Sequence, residues 1–510
     1  MKETINIIPY PSSAKKSEGE VKIKSKSFNL SIEGSDSPKF TGMIKNAVEI
    51  TGCTINKDGY PLSIIVNEDL SRKNNASYTL HNDENGITIK SSSEKGAFYG
   101  CISAGQLLQK AEDTLSFMDI EDNPEYEWRG FLLDTCRSFY SVNFIKKMLR
   151  ACALHKLNIF HWHLTDDQGW RFNVEEYPEL IKTGAHRQDM TVPESEEGFY
   201  DEGKEIRRWY TDEEIKEIIE YGEKLNIEII PEVEFPGHSS ALLAAYPEFG
   251  CTGGPYKVEN RWGIFPDVLC LGNDSVFKIY EAAVKKIISL FPSKYIHIGG
   301  DECLPDRWSN CPKCRARMEK EKLDSPAQLQ AWATTKVAKM ISDYGKNPIG
   351  WDEVLDNNKH NQLPDNVIVQ SWRGIEGGIK AVSLKHKVIM SPCDYFYLNF
   401  KNCDSFEEPG RLGVTSTKKT YTFSPSGKNI AFNSPDEKKY ILGGECTLWT
   451  EKLPHSRTAE YLLFPRFCAA AESLWQNEEK KDFENFKERL SQHKKLLKRL
   501  DYYFYDGQLE

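Results

Sequence analysis

Tyr295-Ile296-His297-Ile298-Gly299-Gly300-Asp301-Glu302 joins an apolar run, a glycine pair and two carboxylates in one short stretch. Tyr295 to Ile298 reads as a strand, the glycines let another group come close to the backbone, and the carboxylates follow where the strand ends. Successive strand residues point to opposite faces, so Asp301 and Glu302 are expected to be unequal, one a proton donor and the other its helper. Taken alone, Gly-Gly-Asp-Glu is more often a solvated acidic turn, because loops collect polar residues.

The same alternation of apolar strands and amphipathic helices extends on both sides of this stretch. Strand candidates are 130–134, 157–164, 227–231, 295–298, 348–351, 367–369, 388–390 and 440–442, with helical spacing between several of them at 144–155, 212–225, 275–290, 327–344 and 377–385. Such units across residues 126–476 predict an α/β chain folded as a (β/α)8 TIM barrel, whose active site lies at the C-terminal ends of the strands. Residues 1–125 alternate β-rich runs with polar turns, and 96–110 has helical spacing with Phe98, Ile102, Leu107 and Leu108 as its apolar side. A small non-catalytic α+β domain is therefore expected before the barrel. Residues 477–510 are expected to hold a C-terminal helix packed on the barrel through Phe483, Phe486, Leu490, Leu496 and Leu497.

A chain of 510 residues exceeds one ordinary core, and 39% hydrophobic with 28% charged residues is the composition of a soluble globular protein. The net charge of −10 argues against nucleic acid or an anionic membrane as partner and suits a neutral or small polar substrate. Aromatic residues reach 12%, enough to supply flat ligand-contact surfaces as well as core. Residues 1–10, MKETINIIPY, carry no long apolar run, so neither a secretory signal nor a membrane span is read there. A cytoplasmic location is the expectation, or a secreted one if a leader was trimmed. Thirteen scattered cysteines fit reduced thiols. Cys311-Pro312-Lys313-Cys314 has no second pair beside it and reads as packing or surface cysteines rather than a zinc or redox site.

The strand ends collect a distinctive set of side chains. They are Asp134 and Arg137; Asp166, Asp167 and Trp170; Glu232, Glu234 and His238; Asp301 and Glu302; Trp351; Trp372; Tyr395, Tyr397 and Asn399; and Trp449 and Glu451. Sugars present apolar faces that stack on Trp and Tyr and hydroxyl rims that bond Arg, Asp, Asn and Glu. A carboxyl group against aromatic walls has its pKa raised, as protonating a glycosidic oxygen requires. Any one strand-end Trp is more often core than platform, but several on one rim with Arg and carboxylates are harder to dismiss. His161 and His163 share strand parity and read as buried, hydrogen-bonded core more readily than as metal ligands with Asp166 or Asp167. No metal and no cofactor is expected.

The chain resembles glycoside hydrolase family 20, the β-N-acetylhexosaminidases, over nearly its whole length. His297-Ile298-Gly299-Gly300-Asp301-Glu302 is similar to the family's His-x-Gly-Gly-Asp-Glu motif. It is joined in order by 133–137, 160–170, 231–238, Gly350-Trp351 and 443–451. The resemblance implies retaining hydrolysis of terminal β-linked N-acetylglucosamine or N-acetylgalactosamine, with the substrate's own 2-acetamido oxygen as nucleophile. It further implies Glu302 as acid and then base, and Asp301 as the group that orients the acetamido N–H. Arg137 and Glu451 are implied at the 3- and 4-hydroxyls, Asn399 at the 6-hydroxyl and Tyr397 at the acetamido oxygen. Trp351, Trp372 and Trp449 are implied as walls, and Asp166 and His238 as supports of the acid. Strand parity alone favours Asp167 over Asp166 as the partner of His161 and His163, whereas the family alignment favours Asp166. Ser138 and Asn399 stand where many members have His and Asp, changes that bear on which sugar is accepted. A glycan is the expected partner. A disaccharide-releasing enzyme of the same family, a chito-oligosaccharide-specific hydrolase and a catalytically silent glycan-binding protein are the competing readings. The oligomeric state stays open, with a homodimer among the options.

Overall fold

The computed structural model describes residues 5–35, 37–68, 75–187, 206–357, 363–428, 430–432 and 434–510. The first part of the chain forms a sheet in the order Ser13–Lys22, Thr114–Asp122, Tyr78–Asp83, Gly86–Ser91, Tyr60–Val66, Ser27–Glu33 and Thr54–Ile55. Its strands show the alternation expected of a half-buried sheet: Leu62, Ile64 and Val66 turn inward along Tyr60–Val66. Helices Pro38–Glu49 and Glu94–Lys110 pack on this sheet and on one another. The second was expected to be amphipathic, yet residues 96–109 are all buried. The reason is tertiary: beyond the sheet it also meets the barrel, where Gln106 Nε2 donates to the Leu154 carbonyl at 3.0 Å, and the C-terminal helix Phe483–Arg499.

Eight parallel strands then close into a barrel: β1 Trp128–Asp134, β2 Ile159–His163, β3 Glu228–Glu232, β4 Tyr295–His297, β5 Asn347–Trp351, β6 Ile368–Ser371, β7 Lys387–Met390 and β8 Ile441–Leu448. Each strand pairs with its neighbours in the chain, and β8 closes onto β1. Helices Val142–Leu154, Asp212–Lys224, Ser275–Leu290, Pro326–Asp343, Glu376–Ser383 and Arg466–Trp475 are among those outside it. Asp212–Lys224 starts on a capping box, Thr211 with Glu214, and buries Ile215, Ile218 and Ile219, so local chemistry and packing agree on where it begins and which face it hides.

The C-terminal helix clamps more than the barrel. Arg489 reaches Glu472 on Arg466–Trp475 at 2.6 and 2.7 Å and the Ile7 carbonyl at 2.8 Å, while Arg499 bonds the Gln109 carbonyl at 3.0 Å. A buried charge pair with its remaining donors used in this way specifies one docking geometry. Among the described residues no helix is long and apolar enough to cross a membrane.

Candidate active site

The barrel interior is filled in layers. At the N-terminal end Trp128, Ile159, Ile230, Ile349, Ile368 and Ile389 form an apolar plug. Above it the strand register sets Asp134 beside His163, His163 beside Glu232, and Glu232 beside His297. Inward-pointing residues at the same level of neighbouring strands must meet, so this level becomes a buried charge network. His161 Nδ1 lies 2.7 Å from Glu445 and its Nε2 3.2 Å from Glu232, while His163 bonds Glu232 through Nδ1 and Asp166 through Nε2 at 2.8 Å. Burial opposes charge on both imidazoles, but the carboxylates outweigh it and hold His161 up to about 9 and His163 up to about 10. Trp351 Nε1 donates to Glu232 at 3.0 Å and so fixes the next layer, the aromatic one.

β4 ends at His297, and the segment after it turns sharply: Gly299, Gly300 and Glu302 have φ of 65°, 102° and 46°. A Cβ on Gly299 would sit 1.8 Å from Glu234 Oε2, so a side chain there would both strain the backbone and displace the Glu234 carboxylate. Glu302 holds the left-handed region, which costs a non-glycine residue about 1–3 kcal/mol and recurs at functional sites. The expectation that strand pleating separates the two carboxylates is therefore corrected, because the strand has already ended. Both instead approach one imidazole edge: His238 Nε2 lies 3.6 Å from Asp301 Oδ2 and 3.6 Å from Glu302 Oε2. What makes them unequal is their surroundings. The Asp301 side chain is 12% exposed, that of Glu302 34%, and Asp301 Oδ1 has no hydrogen-bond partner among the described residues. Burial raises the Glu302 pKa, with Asp301 adding to the shift and His238 opposing it.

His238 Nδ1 lies 3.4 Å from Asp166 and 3.0 Å from Asp167. Burial works against its charge, but these carboxylates hold it well above the usual histidine range. Asp166, despite burial, is held far below the usual carboxylate range by Arg137 and His238. It is Asp166 that His163 meets; Asp167 turns to His238 and to Ser240, whose N–H and hydroxyl donate to it at 2.9 and 2.6 Å.

The remaining expected residues assemble around this pair. Arg137 bonds Gln168 at 3.0 Å and Asp166 at 2.7 Å and lies 5.2 Å over the Trp449 ring, and its Nη1, 3.5 Å from the Asp134 carboxylate, has no hydrogen-bond partner among the described residues. Trp351, Tyr397 and Trp449 share one cluster with Leu132 and Phe400, and Trp372 stacks on Tyr397 at 6.1 Å and 12°. Tyr397 stays a phenol, its pKa pushed well up by burial and by the Asp301 charge. Asn399 Oδ1 is buried without a hydrogen-bond partner among the described residues. Unpaired donors and acceptors facing aromatic walls are costly unless a polar ligand with apolar faces completes them. Ser138 is turned away, its hydroxyl donating to the Thr450 carbonyl at 2.7 Å.

Arg411, Trp262 and Glu353 escaped the sequence reading. Arg411 donates to Glu451 at 2.6 Å and lies 3.6 Å over the Trp262 ring. Trp372 Nε1 donates to Glu353 at 2.9 Å, and burial, Asp301 and Asp352 push the Glu353 carboxyl up to about 8. Arg411 opens the short strand Arg411–Val414, Glu353 lies in the 3-10 turn Asp352–Leu355 and Trp262 in irregular chain, stretches too short to show periodicity, and only Trp262, by its residue type, offered a signal. A cavity of ≈ 310 Å³ opens on the far side of Glu302, lined also by Ile264, Pro305, Gln330, Glu353 and Arg373. Because Arg411 holds Glu451 and is itself held by Trp262, Arg411→Ala is expected to raise KM roughly 10–100-fold, the worth of a charge-assisted hydrogen bond. Its kcat should change far less, which initial-rate kinetics on an aryl N-acetyl-β-glucosaminide will show.

The structure also corrects the reading of Cys311 and Cys314 as a lone pair. Cys251 and Cys270, distant in sequence, lie against them, with Sγ atoms within 4.8 Å of one another.

Comparison with known proteins agrees with this geometry. Residues 126–478 match the model described as glycosyl hydrolase family 20, catalytic domain, and residues 4–123 match domain 2 of the same family. A β-hexosaminidase of Porphyromonas gingivalis is 37% identical over 424 residues, covering 81% of this chain, which spans 52% of that relative's length. A β-hexosaminidase of Akkermansia muciniphila is 32% identical over 451 residues, 86% of this chain and 88% of the relative. Among solved structures, the exo β-N-acetylglucosaminidase of Vibrio harveyi in complex with N-acetylglucosamine has a TM-score of 0.86 at 25% identity, covering 99% of this chain and 80% of that one. The β-N-acetylhexosaminidase of Bacteroides fragilis has a TM-score of 0.81 at 27% identity, covering 99% of each chain.

Proposed function

This chain belongs to glycosyl hydrolase family 20, and from that premise we propose that it is an exo-acting β-N-acetylhexosaminidase that removes terminal β-linked N-acetylhexosamine with retention of configuration. The observation that carries this reading is the unequal carboxylate pair on one imidazole edge: Glu302 with a raised pKa, and Asp301 with a buried oxygen still to be satisfied.

In the first step the acetamido carbonyl oxygen attacks C1 and the bond from C1 to the leaving oxygen breaks. The carboxyl proton of Glu302 passes to that oxygen. Asp301 accepts a hydrogen bond from the acetamido N–H and balances the positive charge of the oxazolinium ion that forms. To Tyr397, which burial and the Asp301 charge keep a neutral donor, we assign the hydrogen bond to the acetamido oxygen. In the second step Glu302, now a carboxylate, takes a proton from water as the water oxygen attacks C1 and the ring-closing bond to the acetamido oxygen breaks.

Arg137 Nη1, Asn399 Oδ1 and Glu451 supply the donor and acceptors that the hydroxyls of a terminal sugar need, and the tryptophans cover its apolar faces. Arg411 orients Glu451. The cavity beyond Glu302 gives the departing group room next to the acid. Two inversions at C1 give the β-anomer first, so proton NMR during turnover is expected to detect β-N-acetylhexosamine before mutarotation. First appearance of the α-anomer would overturn the mechanism.

A further inference from the structure

We propose that Cys251, Cys270, Cys311 and Cys314 bind one zinc ion as four thiolates in a tetrahedron, a structural site that joins the loop after β3 to the loop after β4.

The sulfurs have the spacing that such an ion imposes. Cys251 and Cys314 are 3.8 Å apart, Cys270 and Cys311 3.7 Å, and Cys270 and Cys314 3.7 Å. Ligands about 2.3 Å from a tetrahedral zinc lie about 3.8 Å from each other. A disulfide brings its sulfurs to about 2.05 Å and groups cysteines two by two. Here Cys270 is equally near Cys311 and Cys314, and Cys314 is also next to Cys251, so the arrangement is a shared centre rather than two pairs.

The backbone is built for the same purpose. Cys311 precedes helix Pro312–Glu321 and Cys314 lies in its first turn, where unpaired N–H groups favour negative charge. The Cys270 segment presses onto this turn: a Cβ on Gly272 would sit 2.2 Å from the Lys313 carbonyl carbon. Cys270 is held in place by its N–H donating to the Phe249 carbonyl at 2.8 Å, and the neighbouring Leu269 carbonyl accepts from Trp308 Nε1 at 2.8 Å. Cys251 and Cys311 line a surface cavity of ≈ 280 Å³, which gives an ion a way in. On loading, four S–H bonds give way to four Zn–S bonds and up to four protons are released, with no change of oxidation state.

Such a centre closes the excursion between Cys251 and Cys270 at its base. That excursion carries Trp262, on which Arg411 rests, and Glu259, whose N–H donates to the Asp167 carbonyl at 3.0 Å. Cys311 and Cys314 follow Glu302 in the next loop. The ion thereby ties two walls of the site without touching the substrate. The proposal does not rest on the identity of the reaction.

Metal analysis of the full-length protein, expressed with zinc and freed of loose metal by gel filtration, is expected to find about one zinc per chain. Because several other cysteines are buried, the readout of thiol titration under native conditions is a difference: four further cysteines should react once the zinc is released, and chelation should lower the melting temperature. The double variant Cys270→Ser, Cys314→Ser should lose the metal. Should that variant fail to fold, cobalt loading of the unmodified protein decides, because four thiolates around cobalt give intense visible and charge-transfer bands of tetrahedral type. A metal-free protein with freely reactive thiols, a bound iron in place of zinc, a mass deficit marking disulfides among these four cysteines, or a cobalt spectrum without thiolate bands would each overturn the proposal.

Discussion

Glu302→Gln is expected to lower kcat/KM on chitobiose by roughly 10²–10⁴-fold, the usual contribution of a positioned general acid. The substitution removes a titratable proton but keeps the side-chain shape, and the Glu302 side chain is 34% exposed and meets the buried network only through His238 at 3.6 Å, beyond hydrogen-bond distance, so the fold should persist with little change in melting temperature. The loss should be smaller on a 4-nitrophenyl glycoside, whose leaving oxygen departs without protonation, and larger on chitobiose, whose sugar alkoxide does not. The pH profile carries the same signature. Burial raises the pKa of Glu302, so its acid form persists to higher pH than an ordinary glutamate, and the wild-type rate falls as pH rises through that value. In the Gln variant that alkaline limb should vanish. Equal losses on both leaving groups would remove Glu302 from the acid's role.

Asp301→Asn should act on the other half of the chemistry. It leaves Oδ1 in place but removes the charge that balances the oxazolinium ion, and a single preorganised electrostatic partner is worth roughly 10²–10³-fold in kcat. The two variants are distinguishable because the loss at Asp301 should be nearly the same for good and poor leaving groups, with KM little altered. His238 stands behind both residues at 3.6 Å and is itself anchored by Asp166 and Asp167. A variant at His238 should therefore mix the two signatures, whereas a variant at Arg411 shows neither.

All eight barrel strands could be read in advance, since each is a short apolar run bounded by polar loops and its position depends on local chemistry. Helices such as Ser275–Leu290 were equally plain, for their buried positions recur at helical intervals. The helix Pro38–Glu49 was missed although Phe40, Ile44, Ala47 and Val48 are buried at helical spacing, because Thr41, Gly42 and Asn46 between them are weak helix formers. The all-round burial of Glu94–Lys110 was hidden for another reason: the barrel helix it meets at Leu154 and the C-terminal helix Phe483–Arg499 are brought to it only by the tertiary fold.

The candidate site divides along the same line. Residues at strand ends, such as Arg137, Trp351 and Asp301, were found because the barrel rule gathers strand ends into one place. Arg411, at the head of the short strand Arg411–Val414, and Trp262, in the stretch between Cys251 and Cys270, meet across the fold, and no spacing around either announces the contact. Cys251 and Cys270 are likewise brought to Cys311 and Cys314 only by the folded loops. Parity failed at Asp301 and Glu302 because the chain leaves the strand at His297 and turns through positive φ, something a pleated-strand argument cannot express.

The central claim is that the substrate's acetamido oxygen is the nucleophile, held by Asp301 while Glu302 supplies the proton. Its most direct test is kcat/KM on aryl β-glucosaminides whose acetyl group carries progressively more fluorine, because each fluorine weakens the carbonyl oxygen as a nucleophile while scarcely enlarging the group. The account predicts a steep, graded fall in rate from acetyl to trifluoroacetyl. A rate independent of fluorination would contradict it, since only a nucleophile supplied by the protein or by water would be indifferent to that change.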